Sequence, residues 1–419
     1  MSLRGVTIKE GKIGSNVAGD NREFGLVCNG IAVIGAGNVS GFSLGALLVL
    51  RRPSDAIALG IDENYDTAND VQVYRHISEF YRRAGEGKVL NVMIVGQSKK
   101  PIDMIADAKV LVVEAGGSIS DIAFAYNPAS TYVDTLVDGL NADIKEAIPA
   151  LQSFAQWCDE HDMPLHTILE GRAISENLSS VADLRDLKNG DATLEATKVT
   201  LVVGQDWNYA DGLSDMGKKF ADIGTYLGVI ASAAWNRNPG EVESQNLTDA
   251  TNGIFIVGGL SNHKKYSEAF DMLETLNDKG YVFPIRYQGV SGYWWNDGHV
   301  CAPIVVDKDG SMNQHTVYYS HTIDQSKRAL RTRLLVEVKK PVQLEDGKLP
   351  ASMVGYYNAI GDLEFDKLAG KELISEGKTY TDADSDLLVK KELNMRFGVI
   401  PTGCVNEIIG TINLKNQSL

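Results

Sequence analysis

The stretch VYRHISEFYRRAGEGKVLNVMIVG, Val73 to Gly96, decides the fold class. With Val71 just before it, Tyr74, Ile77, Phe80, Tyr81 and Ala84 recur at helical spacing, and Gly85 is a suitable helix stop. The run Asn91 to Val95 then reads as a buried strand. A helix followed within a few residues by a buried strand is the repeating unit of a sheet covered by helices.

The alternation continues on both sides. Upstream, Leu26-Val27 and Ile31 to Ile34 read as strand material. Downstream, Val110 to Val113 reads as another strand, and Ile144, Ala147, Ile148, Leu151, Phe154, Ala155 and Cys158 form the apolar stripe of a helix. Leu165 to Leu169, Val199 to Val203 and Ile254 to Val257 are further strand candidates, the last two ending in Gly204 and Gly258. Tyr266, Ala269, Phe270, Leu273 and Leu276 mark one more helix, closed by Lys279-Gly280.

After about residue 300 the character shifts to α+β. Val317 to Tyr319 reads as a strand, 324–338 as a helix, and Leu393 to Val399 and Ile408 to Leu414 as two more strands. The expected divisions are an amino-terminal arm (1–22), an α/β region (23–300), a second region (301–405) and a terminal strand (406–419).

Composition narrows the function. The 419 residues carry a net charge of −15, which opposes nonspecific DNA binding and offers nothing to anionic membranes. The longest apolar run, Ser43 to Leu50, is far shorter than the roughly 20 residues of a membrane span. The start lacks the basic-then-apolar order of a secretory signal. Cys28, Cys158, Cys301 and Cys404 are widely spaced, as expected of free thiols in a reduced compartment.

Two segments suggest chemistry. Gly35-Ala-Gly-Asn-Val-Ser-Gly41 follows a strand-like run, is placed to open a helix through Leu44 to Leu50, and has Asp62 downstream where a ribose-binding acid would sit. That supports an NAD(P)-dependent oxidoreductase, although G-x-G-x-x-x-G is looser than the dinucleotide fingerprint. Cys158-Asp-Glu-His161, with His166 nearby, offers zinc-ligand types without a second pair at finger spacing. His299-Val300-Cys301, His315 and His321 are weaker, and Trp294-Trp295 reads as an interface or loop anchor. No catalytic, cofactor or metal residue is assigned, and the chain is read as a non-enzyme.

The ends of the chain suggest assembly instead. Val6, Ile8 and Ile13 at one end, and Ile408, Ile412 and Leu414 at the other, alternate with polar residues as half-buried strands do. Such strands pair within their own domain or cross to a neighbour by strand addition. The 321–340 region holds six basic and two acidic residues, with Lys327, Arg328 and Arg331 on one helix face, either solvated or docked on an acidic partner.

Several segments together resemble contractile tail sheath proteins of bacteriophages and phage-like injection systems, in the gpL-like branch. They are Arg4 to Ile8, LVLRRPSDAIALG (Leu48 to Gly60), the Val73 to Gly96 stretch, Met272 to Val300 and Asn394 to Leu414. The family's paired glycines after the first helix are here Gly85-Glu86-Gly87. The resemblance implies a sheath core domain formed from both chain ends, with an inserted α/β domain and extended terminal arms. It implies hexameric rings stacked helically around a tail tube, with baseplate and tail terminator proteins as further partners. The particle would be a virion tail or phage-like device assembled in the bacterial host cytoplasm, without nucleic acid or direct membrane insertion. By position, Lys327, Arg328 and Arg331 would be the tube contact. The oxidoreductase, and a different secreted or capsid-like assembly protein, are the alternatives.

Overall fold

The computed structural model describes residues 22–412 and residue 414. In β1 (Glu23–Gly30), Phe24, Leu26 and Cys28 enter one apolar core and Val27 enters another. A strand buried on both faces belongs inside a sheet covered on both sides. The elements that follow are β2 (Leu47–Leu50), α1 (Val73–Ala84), β3 (Leu90–Gly96), α2 (Pro101–Glu114), β4 (Ile119–Ala125), α3 (Ala142–Glu160), β5 (His166–Glu170), β6 (Val199–Val202) and α4 (Ile223–Ser232).

The sheet order is β6-β5-β4-β1-β3-β2, parallel throughout except for β2, which runs antiparallel to β3. Helices α1 and α4 cover one face, and α2 and α3 cover the other. Two glycines let α4 approach α1. A Cβ at Gly224 would lie 2.4 Å from the His76 carbonyl oxygen, and one at Gly228 would lie 2.7 Å from that of Phe80. Their spacing of four residues sets both on one helix face.

Beyond the sheet lie α5 (Val317–Leu334), α6 (Ala351–Ala369), β7 (Glu376–Thr381) and β8 (Met395–Ile400). Strands β7 and β8 form an antiparallel pair from Glu376↔Ile400 to Thr381↔Met395, packed against α6. This carboxyl-terminal unit has a small core: Leu330, Phe365 and Ile374 around Trp235 of the body, and a second group of Leu349, Tyr357 and Ile360.

Several sequence expectations are corrected. Val110 to Val113 is the last part of α2, whose Pro101 start sets a helix over a short apolar run of ambiguous period. Val317 to Tyr319 is the first turn of α5, capped by Thr316, whose side chain accepts the Tyr319 N–H. Strand β1 ends at Gly30, so within Ile31 to Ile34 only Val33 pairs, in a bridge to Phe42. Ile254 to Val257 is broken by Phe255 at φ +48°, and its strand begins at Gly258. Residues 408–412 and 414 form no strand and pair with none among the described residues. Residues 1–21, with Val6, Ile8 and Ile13, lie outside the described residues.

Candidate functional site

The glycine loop 35–41 closes on itself. Val33 pairs with Phe42 and Ala36 with Val39. Gly41 sits at φ +70°, where a Cβ would meet the Val33 carbonyl at 2.4 Å. The loop then runs into β2 and not into a helix, so no helix N-terminus faces it. Asp62 caps the short helix Glu63–Asn69 by accepting the Tyr65 N–H at 2.8 Å.

The crevice at the carboxyl ends of β1 and β4, where a doubly wound sheet binds its ligand, is sealed by buried asparagines. Asn29 donates to the Gly96 and Lys99 carbonyls and accepts the Asn127 N–H. The dinucleotide reading therefore loses both its helix and its crevice.

The zinc candidates do not converge. Cys158 is buried, and burial pushes its thiol up to about 12. Asp159 pairs with Lys327. His161 lies over Trp157, with Nδ1 2.7 Å from that residue's carbonyl oxygen. His166 is buried within the sheet, between Thr200 and Ser320. His299 contacts Arg185 and Asn277. Among the described residues no group of three or more His, Cys, Asp or Glu side chains is placed to hold a metal. Trp294 and Trp295 are buried anchors. Trp294 donates to the Val242 carbonyl, and Trp295 packs edge-on to Tyr226 and Phe255.

Helix α5 is seated on the body largely through polar groups. His321 Nε2 lies 2.5 Å from Asp121 Oδ1, and Ser120 donates to the other oxygen of that carboxylate. Burial alone would raise the Asp121 carboxyl, but the His321 charge beside it holds it well below the usual range. The three residue types match a hydrolytic triad, yet the hydroxyl bonds the carboxylate and not the imidazole. The other imidazole nitrogen faces the Trp235 carbonyl, and all three side chains are buried. The arrangement bolts a helix to a sheet and lacks an activated nucleophile. One turn on, Lys198 and Asp324 form a second buried pair. A charged residue in the otherwise uncharged run Ile119 to Ala125 signals a buried partner; the sequence does not say which residue that is.

The basic trio continues this seat. Arg328 donates to the carbonyls of Gly117, Ile119 and Pro164 at 2.7 to 2.9 Å. Lys327 pairs with Asp159, and Arg331 with Asp162 at 2.6 Å. All three side chains face the body of their own chain, where Asp159 at the end of α3, Asp162 just beyond it and the carbonyls of Gly117, Ile119 and Pro164 receive them. Arg328 is committed, whereas the other two sit in exposed pairs.

A cleft of about 840 Å³ opens beside α1, lined by Glu63, Asp66, Arg75, Glu79, Arg82 and Tyr209 among others. Arg75 is already held by Asp206, Asp222 and Glu79. Burial pushes Asp66 up to about 7, although its carboxylate accepts the Tyr74 and Arg75 N–H groups. These contacts tie the start of α1 to α4.

The carboxyl-terminal unit carries the least finished surface. No further strand joins β7 or β8 among the described residues. Beyond β8, Ile408 is 89% and Ile412 96% exposed, and Val405, Ile409 and Leu414 are exposed as well. Among the described residues no helix is long and apolar enough to cross a membrane.

Comparison with curated proteins gives no match. Two solved structures align over 99% of this chain and 99% of theirs. One is a chain of the anti-feeding prophage helical sheath in its contracted state, with a TM-score of 0.57 and 13% identity. The other is a chain of the anti-feeding prophage baseplate, six-fold symmetrised, with a TM-score of 0.59 and 12% identity. What is shared at such identities is the fold, so this chain has the fold of a phage-like contractile sheath protein. The family described as DUF2586, N-terminal domain, matches residues 6–299. That span is well over half of the sequence, and the chain belongs to the DUF2586 family.

Proposed function

We propose that this chain is the structural subunit of a contractile tail sheath, polymerising in six-fold rings around a tail tube and contracting to drive the tube through a target envelope. The observation that carries the reading is the end-to-end likeness to a contracted sheath subunit, over 99% of both chains. The open β7–β8 pair and the exposed apolar residues Ile408, Ile409, Ile412 and Leu414, unpaired among the described residues, fit it, since an open strand edge and a segment able to extend are complementary halves of strand addition. Residues 1–22, through Val6, Ile8 and Ile13, are assigned the second arm. The chain is a non-enzyme with no cofactor.

The tube, the baseplate and a tail terminator are its other partners, in a virion tail or phage-like particle assembled in the host cytoplasm. Lys327 and Arg331 are the candidate tube contacts, because an exposed ion pair is worth little and exchanges readily for another acidic partner. Arg328 holds the helix in place for them. Backbone pairing tolerates rigid-body motion about short hinges, so arms keep the lattice joined while subunits move from a trapped, longer packing to a shorter one.

Deleting residues 1–20 tests the arm directly. The variant is expected to elute as a folded monomer and to form no tubes under conditions where the full chain does. Normal tubes from the deletion would remove the arm from the account.

A further inference from the structure

Between β8 and the exposed terminal residues the chain is held at two points by the α/β body. Asn236 donates its side-chain amide to the Glu372 carbonyl at 2.9 Å and to Thr402 Oγ1 at 3.1 Å. Four residues further on, Asp297 accepts the Asn406 amide on Oδ2 at 2.9 Å and the Asn238 amide on Oδ1 at 2.7 Å. The holding groups are themselves fixed. Asn238 accepts the Gly240 N–H at 2.8 Å, Asp297 accepts the Gly298 N–H at 2.6 Å, and Asp297 is buried. Cys404 lies inside the arrangement, with its sulfur 3.0 Å from Asn406 Oδ1. Every described residue beyond Asn406 is exposed.

We propose that Asp297, Asn238 and Asn406 form a clasp that fixes where and in which direction the terminal segment leaves the subunit, making Asp297 a positioning residue for strand donation. The inference rests on the assembly reading above and deepens it. A short apolar strand with both faces exposed carries little register information of its own, and a slip of one residue turns every side chain to the wrong face. Its register on a neighbour then depends on where it starts. A tether that holds the last fixed residue also raises the effective concentration of the strand at a site within reach. A buried carboxylate with one amide on each oxygen suits that role, since bonds to a charged acceptor are stronger than neutral ones. Asn236 and Thr402 hold the same segment closer to β8, so it cannot pivot about a single point.

The test uses the full chain with Cys404 as reporter, an exposed thiol held by its bond to Asn406, while Cys28, Cys158 and Cys301 are buried. Asn406→Ala and Asn238→Ala each remove one amide and leave the Asp297 charge beside the thiol in place. Both are expected to raise the rate of Cys404 modification by a maleimide roughly tenfold, the scale of one lost charged hydrogen bond. Thermal unfolding should be unchanged, and electron microscopy should show short or irregular tubes where the wild type builds long regular ones. Arg237→Ala, whose side chain pairs only with Glu241 among these neighbours, is the control and should change neither readout. Unchanged labelling in both variants overturns the clasp, whatever the assemblies look like. Faster labelling with regular tubes overturns the positioning role. A wild type that forms no assemblies overturns the assembly reading, and the positioning role with it, while the labelling still decides whether the tether exists.

Discussion

In the α/β body a six-stranded sheet is covered by helices on both faces, whereas the carboxyl-terminal unit leans two strands on one helix and leaves their outer side bare. The body buries large side chains such as Phe124, Phe154 and Trp295 almost completely. The unit leaves Phe397, Ile400 and Tyr380 exposed on its strands, and Ile408 and Ile412 beyond them. A strand pair packed on one helix is a minimal sheet, and its open edges can take a further strand. The contrast separates a region covered on both faces from one that, on the proposed reading, a neighbour completes.

The largest effect expected from that contrast is in the two cores. Phe124 packs edge-on to Phe154 in the body, and Phe124→Ala should destabilise it by about 3–5 kcal/mol. Phe365 lies against Gly377 and Phe397 in the unit. Phe365→Ala should disorder the unit while the main calorimetric transition stays within a few degrees of the wild type. A single shared transition that falls equally in both variants would contradict the division.

The second effect is pH dependence, confined to the body. Burial pushes Asp66 and Glu170 up to about 7, and also raises Asp206 and Asp324. Their unfolded values lie near 4. Groups raised in the folded state stabilise it fully below the unfolded value, and that contribution is lost as pH rises through the folded one. Asp121, held low by His321, works the other way, its contribution being lost only as pH falls below about 4. Burial holds the imidazoles of His76, His166 and His299 low, which opposes this slope below about pH 6.5, so the melting temperature of the body should decline between about pH 6.5 and pH 8. Glu170→Gln should flatten part of that slope, and the transition of the carboxyl-terminal unit should not follow it. Scanning calorimetry across this range checks both.

The two regions also differed in how far the sequence could be read. Alternating or helical apolar spacing made α1, β3, α3, β5 and β6 legible, because local periodicity reports a face that will be buried. Val110 to Val113 misled, since a short apolar run fits a helix as well as a strand. The Gly224 and Gly228 pair, four residues apart, is the sequence signal for the α1–α4 contact. The polar seat of α5 was beyond reach, because Asp121 and His321 stand 200 residues apart and nothing local links them. The clasp joins Asn238, Asp297 and Asn406 across gaps of 59 and 109 residues, also beyond any local signal. The basic trio was legible as a shared face, but not as one turned toward carboxylates and carbonyls of its own chain. The alternation over 408–414 reads as a strand, but among the described residues it forms none and has no partner.

The smallest effect on the subunit and the largest on the polymer should come from that last segment. Ile408→Lys with Ile412→Lys should change monomer stability by no more than about 0.5 kcal/mol, because both side chains are already in solvent. Negative-stain electron microscopy of the wild type beside this double variant is the most direct test. The account predicts tubes or stacked rings from the wild type and dispersed subunits from the variant. Dispersed subunits from both, or equal tubes from both, would contradict it.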